Sequence, residues 1–155
     1  MSTPRPARPR LHGPARILVA VYAVLAVAAT GRSAFQIVDR FDEAPIAFSL
    51  SAAAAVVYIV ATLALALRWD RVAWITIGFE LIGVLVIGTL SLVAPAVLGL
   101  PDGEFIARVL GPEGAAFGRA GTVWAIYGLG YLLVPLALPI IGLLYLRHRR
   151  RAARV

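Results

Sequence analysis

Apolar residues dominate four long stretches of the chain, and short polar segments separate them. A helix rises about 1.5 Å per residue, so some 20 residues cross a hydrocarbon core of about 30 Å. The pattern therefore predicts an all-α protein, a transmembrane four-helix bundle within residues 17–146 whose sequential helices pack antiparallel. The predicted spans are approximately 17–38, 46–67, 72–93 and 122–146.

The first stretch admits two interpretations. Its uninterrupted apolar part, Ile17 to Gly31, would cover only about 22 Å as a helix, but apolar residues resume after Arg32 and continue to Val38. The alternative is a cleaved signal peptide, because residues 26–28 read Ala-Val-Ala, like an A-x-A cleavage site. We favour a membrane span because the apolar pattern continues past that site.

Polar segments flank the spans and join them. Residues 1–16 are rich in Pro and Arg, which predicts a disordered basic tail, and residues 147–155 form a second basic tail. The longest loop, 96–121, contains an amphipathic stretch at 103–110. We predict a short helix there that lies in the membrane interface, and an ordinary loop helix packed on the bundle is the alternative.

Composition supports the membrane assignment and excludes several chemistries. The chain is 61% hydrophobic and 15% charged, whereas soluble domains are nearer half apolar and a quarter charged. It has no Cys, and its two His, His12 and His148, lie in the tails, so thiolate metal sites and haem held by bundle histidines are excluded. With no catalytic motif in addition, we expect no enzymatic activity, no metal and no cofactor.

The distribution of arginine predicts the orientation. All 15 basic residues are Arg; eleven fall in the two tails and the 68–71 turn, and the other four, Arg32, Arg40, Arg108 and Arg119, lie on the opposite side of the membrane. The positive-inside rule then places both termini in the cytoplasm. The Arg-rich tails could bind anionic lipid head groups, although topology anchoring alone explains them more simply. The same rule accounts for the net positive charge of the chain, so no nucleic-acid partner is expected.

A few polar residues interrupt the spans, and each needs a reason because a charge at the bilayer centre costs about 2.5–3.5 kcal/mol. Glu80 lies about 13 Å into the third span and Tyr58 lies at nearly the same depth in the second. We predict that the Tyr58 hydroxyl donates a hydrogen bond to the Glu80 carboxyl. Helix geometry also predicts a polar layer nearer the outer surface, and its members are Arg32, Gln36, Ser51 and Tyr131.

The fourth span contains two prolines and begins near an aromatic residue. Pro135 and Pro139 would each remove a helical hydrogen bond and free the carbonyl four residues earlier. Broken helices of this kind hold ligands in transporters, but we favour a simple kink. Trp124, near the start of the predicted helix, is expected in the outer aromatic belt.

Several stretches of the chain resemble a group of small four-span integral membrane proteins of high-GC actinobacteria. The stretches cover most of the chain and are GRSAFQ (31–36), RFDEAPIAFSLSAAAAVVYIVATLAL (40–65), IGFELIGVLVIGTLSLV (77–93) and YLLVPLALPIIGLLYLR (131–147). The resemblance implies a multi-pass protein of the bacterial plasma membrane. It implies no activity and no site residue, because the group is uncharacterised in function.

Two function hypotheses follow. The first is a non-enzymatic accessory or scaffold subunit that acts through helix–helix contacts with a membrane-protein partner. The alternative is a small, oligomeric, proton-coupled transporter or channel that uses Glu80, whose position in the membrane makes it a functional candidate. A membrane enzyme is the weakest class: Asp39, Asp42 and Glu43 could hold a divalent cation, but Arg40 lies among them.

Overall fold

The computed structural model describes residues 13–100 and 121–152, and within these ranges the protein is all helical with no strand. The α-helices are α1 (Gly13–Arg40), α2 (Pro45–Ala66), α3 (Asp70–Val93) and α4 (Val134–Ala152). Short 3₁₀ segments cover Phe41–Glu43, Pro95–Leu98 and Ala125–Tyr131. The helix predicted at 103–110 and the ends of both tails lie outside the described residues.

Three of these helices, α1, α2 and α3, are long and apolar enough to cross a membrane. The 3₁₀ segment Ala125–Tyr131 and α4 pass the same test together, but the chain bends by 99° between them. Residues 13–100 and 121–152 therefore contain three candidate spans, or four if the bent pair forms one. The predicted all-helical, membrane-compatible character is confirmed at this level.

Two helices extend into the predicted tails. α1 begins at Gly13, inside the segment 1–16 that was predicted to be disordered, and Pro14 stands in its first turn. Proline is tolerated there because the first backbone N–H groups of a helix have no acceptor within the helix. α4 continues past the predicted end at residue 146 to Ala152, and three of its arginines occupy the last turn, where the helix dipole favours cations.

The pairing of α1 with α2 is the most extensive helix contact in the structure. Small residues allow it: Ala26 and Ala29 of α1 are buried, as are Ala47, Ala54 and Ala61 of α2. Small side chains let two backbones approach closely, which increases van der Waals contact where no hydrophobic driving force operates between helices. α2 then contacts α3, and α3 contacts α4, while α1 and α4 touch only slightly.

The fourth predicted span, 122–146, is not one continuous helix. Three consecutive residues, Ile126, Tyr127 and Gly128, have left-handed backbone angles, and so do Leu132 and Leu133 just before α4. A right-handed helix cannot continue through such residues, so the chain turns sharply. The predicted breaks at the prolines are therefore corrected: the break comes before both of them.

The two prolines have different positions relative to this break. Pro135 is the second residue of α4, where a missing N–H removes no helical hydrogen bond. The prediction that Pro135 frees the carbonyl of Tyr131 is therefore wrong, because the chain is already non-helical at Tyr131. Pro139 does lie inside α4, as predicted. Both proline side chains are fully buried.

Glycines on α3 accommodate the long 3₁₀ segment and the residues that lead into it. A Cβ atom at Gly83 would lie 2.6 Å from the Trp124 ring, and one at Gly88 would lie 2.5 Å from the Tyr127 ring. Both aromatic rings therefore lie directly on the α3 backbone. This packing carries residues 121–131 inward along α3 instead of leaving them at its end.

Candidate functional site

A cluster of four buried side chains, which we call the polar core, lies where α1, α2, α3 and the 121–131 segment meet. Glu80 of α3 is 0% exposed, and the Tyr22 hydroxyl of α1 donates a hydrogen bond of 2.7 Å to its Oε2 atom. The Trp124 indole N–H donates one of 3.0 Å to the hydroxyl of Tyr58 on α2. The two tyrosine rings are 6.3 Å apart between centroids. Two hydrogen bonds thus connect four segments of the chain.

The prediction that Tyr58 donates to Glu80 is corrected by this geometry. Tyr22 occupies that role, and the Tyr58 hydroxyl oxygen instead accepts a hydrogen bond from Trp124. The prediction chose Tyr58 by its depth alone. Depth is counted in residues from the membrane boundary and takes no account of the direction in which each helix face points. Tyr22 lies only six residues beyond Arg16, but its long side chain reaches the carboxylate.

Trp124 is the second core residue that the sequence pattern misplaced. It is 2% exposed and contacts Tyr58, so it does not belong to an outer aromatic belt. The expectation assumed a continuous helix from residue 122, which would leave Trp124 near the membrane boundary. Gly83, three residues after Glu80, was the available signal, since it marks a place on α3 where a bulky group can approach closely.

The second carboxylate oxygen of Glu80 distinguishes it from the rest of the core. Oε1 is buried and has no hydrogen-bond partner within the described residues. A buried carboxylate oxygen ordinarily has a partner, because leaving it unsatisfied is costly. Glu80 is therefore hydrogen-bonded at Oε2, whereas its buried Oε1 acceptor is left unsatisfied by the described residues.

The predicted outer polar layer is assembled in part. Arg32 Nη2 donates to the carbonyl oxygen of Gly121 at 2.7 Å, and Gln36 Nε2 approaches the same oxygen at 3.4 Å. Ser51 is fully buried, but its hydroxyl donates to Ala47 of its own helix. Tyr131 is only half-buried, and its hydroxyl makes no hydrogen bond to the described residues. Arg32 and Gln36 thus anchor the start of the 121–131 segment to α1.

Ser91 holds the same segment to α3 at its first left-handed residue. The Ile126 N–H donates to Ser91 Oγ at 2.7 Å, and that hydroxyl donates to Gly88 O at 2.8 Å. Replacing Ser91 with alanine is expected to lower the free energy of unfolding by about 1 to 2 kcal/mol, because the buried Ile126 N–H loses its acceptor. Thermal unfolding in mild detergent measures the change.

Ser51→Ala is the matched control for that substitution. Its hydroxyl is equally buried but bonds only to a carbonyl of its own helix, which keeps its backbone partner. We expect a change within about 0.5 kcal/mol there. Equal losses in the two variants would contradict the assignment of Ser91 as the anchor of the segment.

Charged groups concentrate at the end of the helices where α3 begins and α4 ends. Asp70, in the first turn of α3, forms a salt bridge with Arg149 of α4. Arg150 stacks on the Trp74 ring with its guanidinium carbon 4.9 Å from the ring centroid. Burial and the nearby Arg68 guanidinium lower the pKa of Arg149. These contacts explain why α4 continues beyond the apolar residues.

The acidic residues at the other end of α1 do not assemble into a cation site. Arg40 lies 3.4 Å from Asp39 and 3.8 Å from Glu43, so two of the three acids considered are paired with it. Within residues 13–100 and 121–152, no group of three or more His, Asp or Glu side chains could hold a metal ion.

The fold and the polar core define a helical protein with several apolar helices that are compatible with a membrane. Comparisons of the chain with protein-family models, with curated proteins and with solved structures gave no match. The likeness to small actinobacterial membrane proteins therefore stays a prediction from the sequence.

Proposed function

We propose that the protein is a multi-pass accessory or scaffold subunit of the bacterial plasma membrane, non-enzymatic and with both termini cytoplasmic. The observation that carries the proposal is that the buried polar residues of the protein bond to one another. The buried acid Glu80 is bound by Tyr22, and Tyr58 is bound by Trp124, so these groups join helices to one another. A polar core of this kind fixes how the helices sit and leaves their outer faces for contacts.

The outer face of α1 is the contact surface that we propose. Val24, Val27, Phe35 and Val38 are exposed along it, and a Cβ at Gly31 would meet nothing within 4 Å. Their spacing of three to four residues gives a continuous stripe along the helix. A small residue within an apolar stripe allows a partner helix to approach the backbone closely.

Native mass spectrometry of the tagged protein, extracted from its own membrane in mild detergent, tests the proposal. We expect a second protein at fixed stoichiometry and its loss in Gly31→Trp. Ile82→Trp is the control, because it adds bulk to an exposed position on α3 instead. A chain that is purified only as a monomer, or partner loss in both variants, would contradict the proposal.

The alternative is a small, oligomeric, proton-coupled transporter or channel. The observation that favours it is that Oε1 of Glu80, a buried acid, has no hydrogen-bond partner among the described residues, so that a proton or cation can bind there. On this hypothesis Glu80→Gln abolishes proton flux into liposomes while the protein still folds. On the accessory hypothesis the same substitution alters partner binding, and no Glu80-dependent flux is measured. A homo-oligomer without a second protein would favour the alternative.

A further inference from the structure

A groove lies between the start of α3 and the end of α4, and three of the four described residues that line it are arginines. Its volume is about 350 Å³, and its lining residues are Trp74, Arg147, Arg150 and Arg151. Asp70, the nearby acid at the start of α3, is already paired with Arg149, which does not line the groove. Among the described residues that line the groove, the three arginines therefore have no carboxylate beside them.

Trp74, which lines the groove, also carries an unsatisfied neutral donor. Its indole Nε1 atom is buried and has no hydrogen-bond partner in the part of the chain that the structure describes. A buried N–H group without an acceptor is costly, so an acceptor bound in the groove would relieve it. Arg150 stacks on the same ring, which holds one guanidinium beside the indole.

We propose that this groove binds the phosphate group of an anionic phospholipid. Arginine guanidinium groups recognise phosphate through paired charge-assisted hydrogen bonds, and the indole N–H supplies one further donor. The groove lies at the arginine-rich end of the apolar helices, the level at which lipid head groups meet a membrane protein.

The apolar surface above the groove suits the acyl chains of that lipid. Leu144 and Ile140 lie one and two turns before Arg147 on α4, and both are exposed. On α3, Gly78 lies one turn after Trp74, and a Cβ there would meet nothing within 4 Å. A lipid with its phosphate in the groove thus finds an open apolar face along the two helices. The site is independent of the proposed accessory role.

Native mass spectrometry of the full chain with added phosphatidylglycerol or phosphatidylcholine tests this inference. We expect preferential retention of phosphatidylglycerol, weakened at least about tenfold in Arg147→Gln/Arg150→Gln/Arg151→Gln, since the variant loses the charge-assisted hydrogen bonds that these guanidinium groups donate to the phosphate. The control removes the same charge outside the groove, at the exposed residues Arg16, Arg68 and Arg71. Equal weakening in both triple variants would reduce the effect to general charge and overturn the site.

Two further measurements identify the ligand and exclude misfolding as the cause of weaker lipid retention. Trp74→Phe keeps the ring but removes the N–H, so we expect several-fold weaker lipid retention with an unchanged thermal midpoint; unchanged retention would overturn the proposed geometry. Inorganic phosphate at millimolar concentration is expected not to displace the lipid, because it lacks acyl chains. Displacement would overturn the lipid assignment and indicate a site for a free anion.

Discussion

Replacing Gly128 with alanine is expected to lower the free energy of unfolding by about 3 kcal/mol, the largest loss that we predict for a single methyl group. Gly128 has φ +79°, a left-handed conformation that an alanine adopts only with strain. The added Cβ would also lie 2.5 Å from Cγ of Pro135, whose ring is rigid and fully buried. Strain and overpacking therefore act together at this position.

Gly130→Ala is the matched control, two residues further along the same segment. A Cβ at Gly130 meets nothing within 4 Å, and its φ is not left-handed. We expect a change of less than about 0.5 kcal/mol there, measured with Gly128→Ala by thermal unfolding in mild detergent. If Gly128→Ala is as stable as Gly130→Ala, the bend between the 3₁₀ segment and α4 is not as described.

Removing the Tyr22 hydroxyl is expected to have the second-largest effect. Tyr22→Phe deletes the hydrogen bond to Glu80 Oε2 and leaves the buried carboxyl without a partner in the described structure. Hydrogen bonds to charged groups contribute about 1.5–3 kcal/mol, so we expect a loss of about 2 kcal/mol in unfolding free energy. Tyr131→Phe should leave the free energy of unfolding almost unchanged, because the Tyr131 hydroxyl makes no hydrogen bond within the described residues.

A double-mutant cycle with Glu80→Gln separates this bond from general packing. If Tyr22 acts through Glu80, Tyr22→Phe costs a different amount in the Glu80→Gln background than in the original protein, since the two residues are coupled. Strictly additive losses would mean that Tyr22 stabilises the protein by packing alone. The same variants then serve the flux measurement that distinguishes the two proposed functions.

The polar core and the arginine groove assign separate roles to the middle and the start of α3. Glu80 fixes how α1 and α3 sit relative to each other, whereas Trp74 and the arginines of α4 form a surface at the helix ends. A substitution in the groove should therefore change lipid retention without changing partner binding. Substitutions in the polar core should instead change partner binding without changing lipid retention, because they alter the arrangement of the helices.

The sequence by itself determined where the two central helices, α2 and α3, lie. The predicted spans 46–67 and 72–93 agree with α2 and α3 to within about two residues, because long apolar runs and polar turns are local properties. It also identified Glu80 as a residue that needed a partner, and Arg32 and Gln36 as neighbours on one helix face. Each of these inferences uses only spacing along a single helix.

Only the tertiary structure decided which partner each polar residue has. Tyr22 instead of Tyr58 binds Glu80, because the rotation of each helix depends on how small residues such as Ala26 and Gly83 pack against other segments. The break before α4 was equally hidden, since its left-handed Leu132 and Leu133 carry no glycine signal. Helix position is encoded locally, whereas helix rotation and chain reversal arise from contacts between residues far apart in sequence.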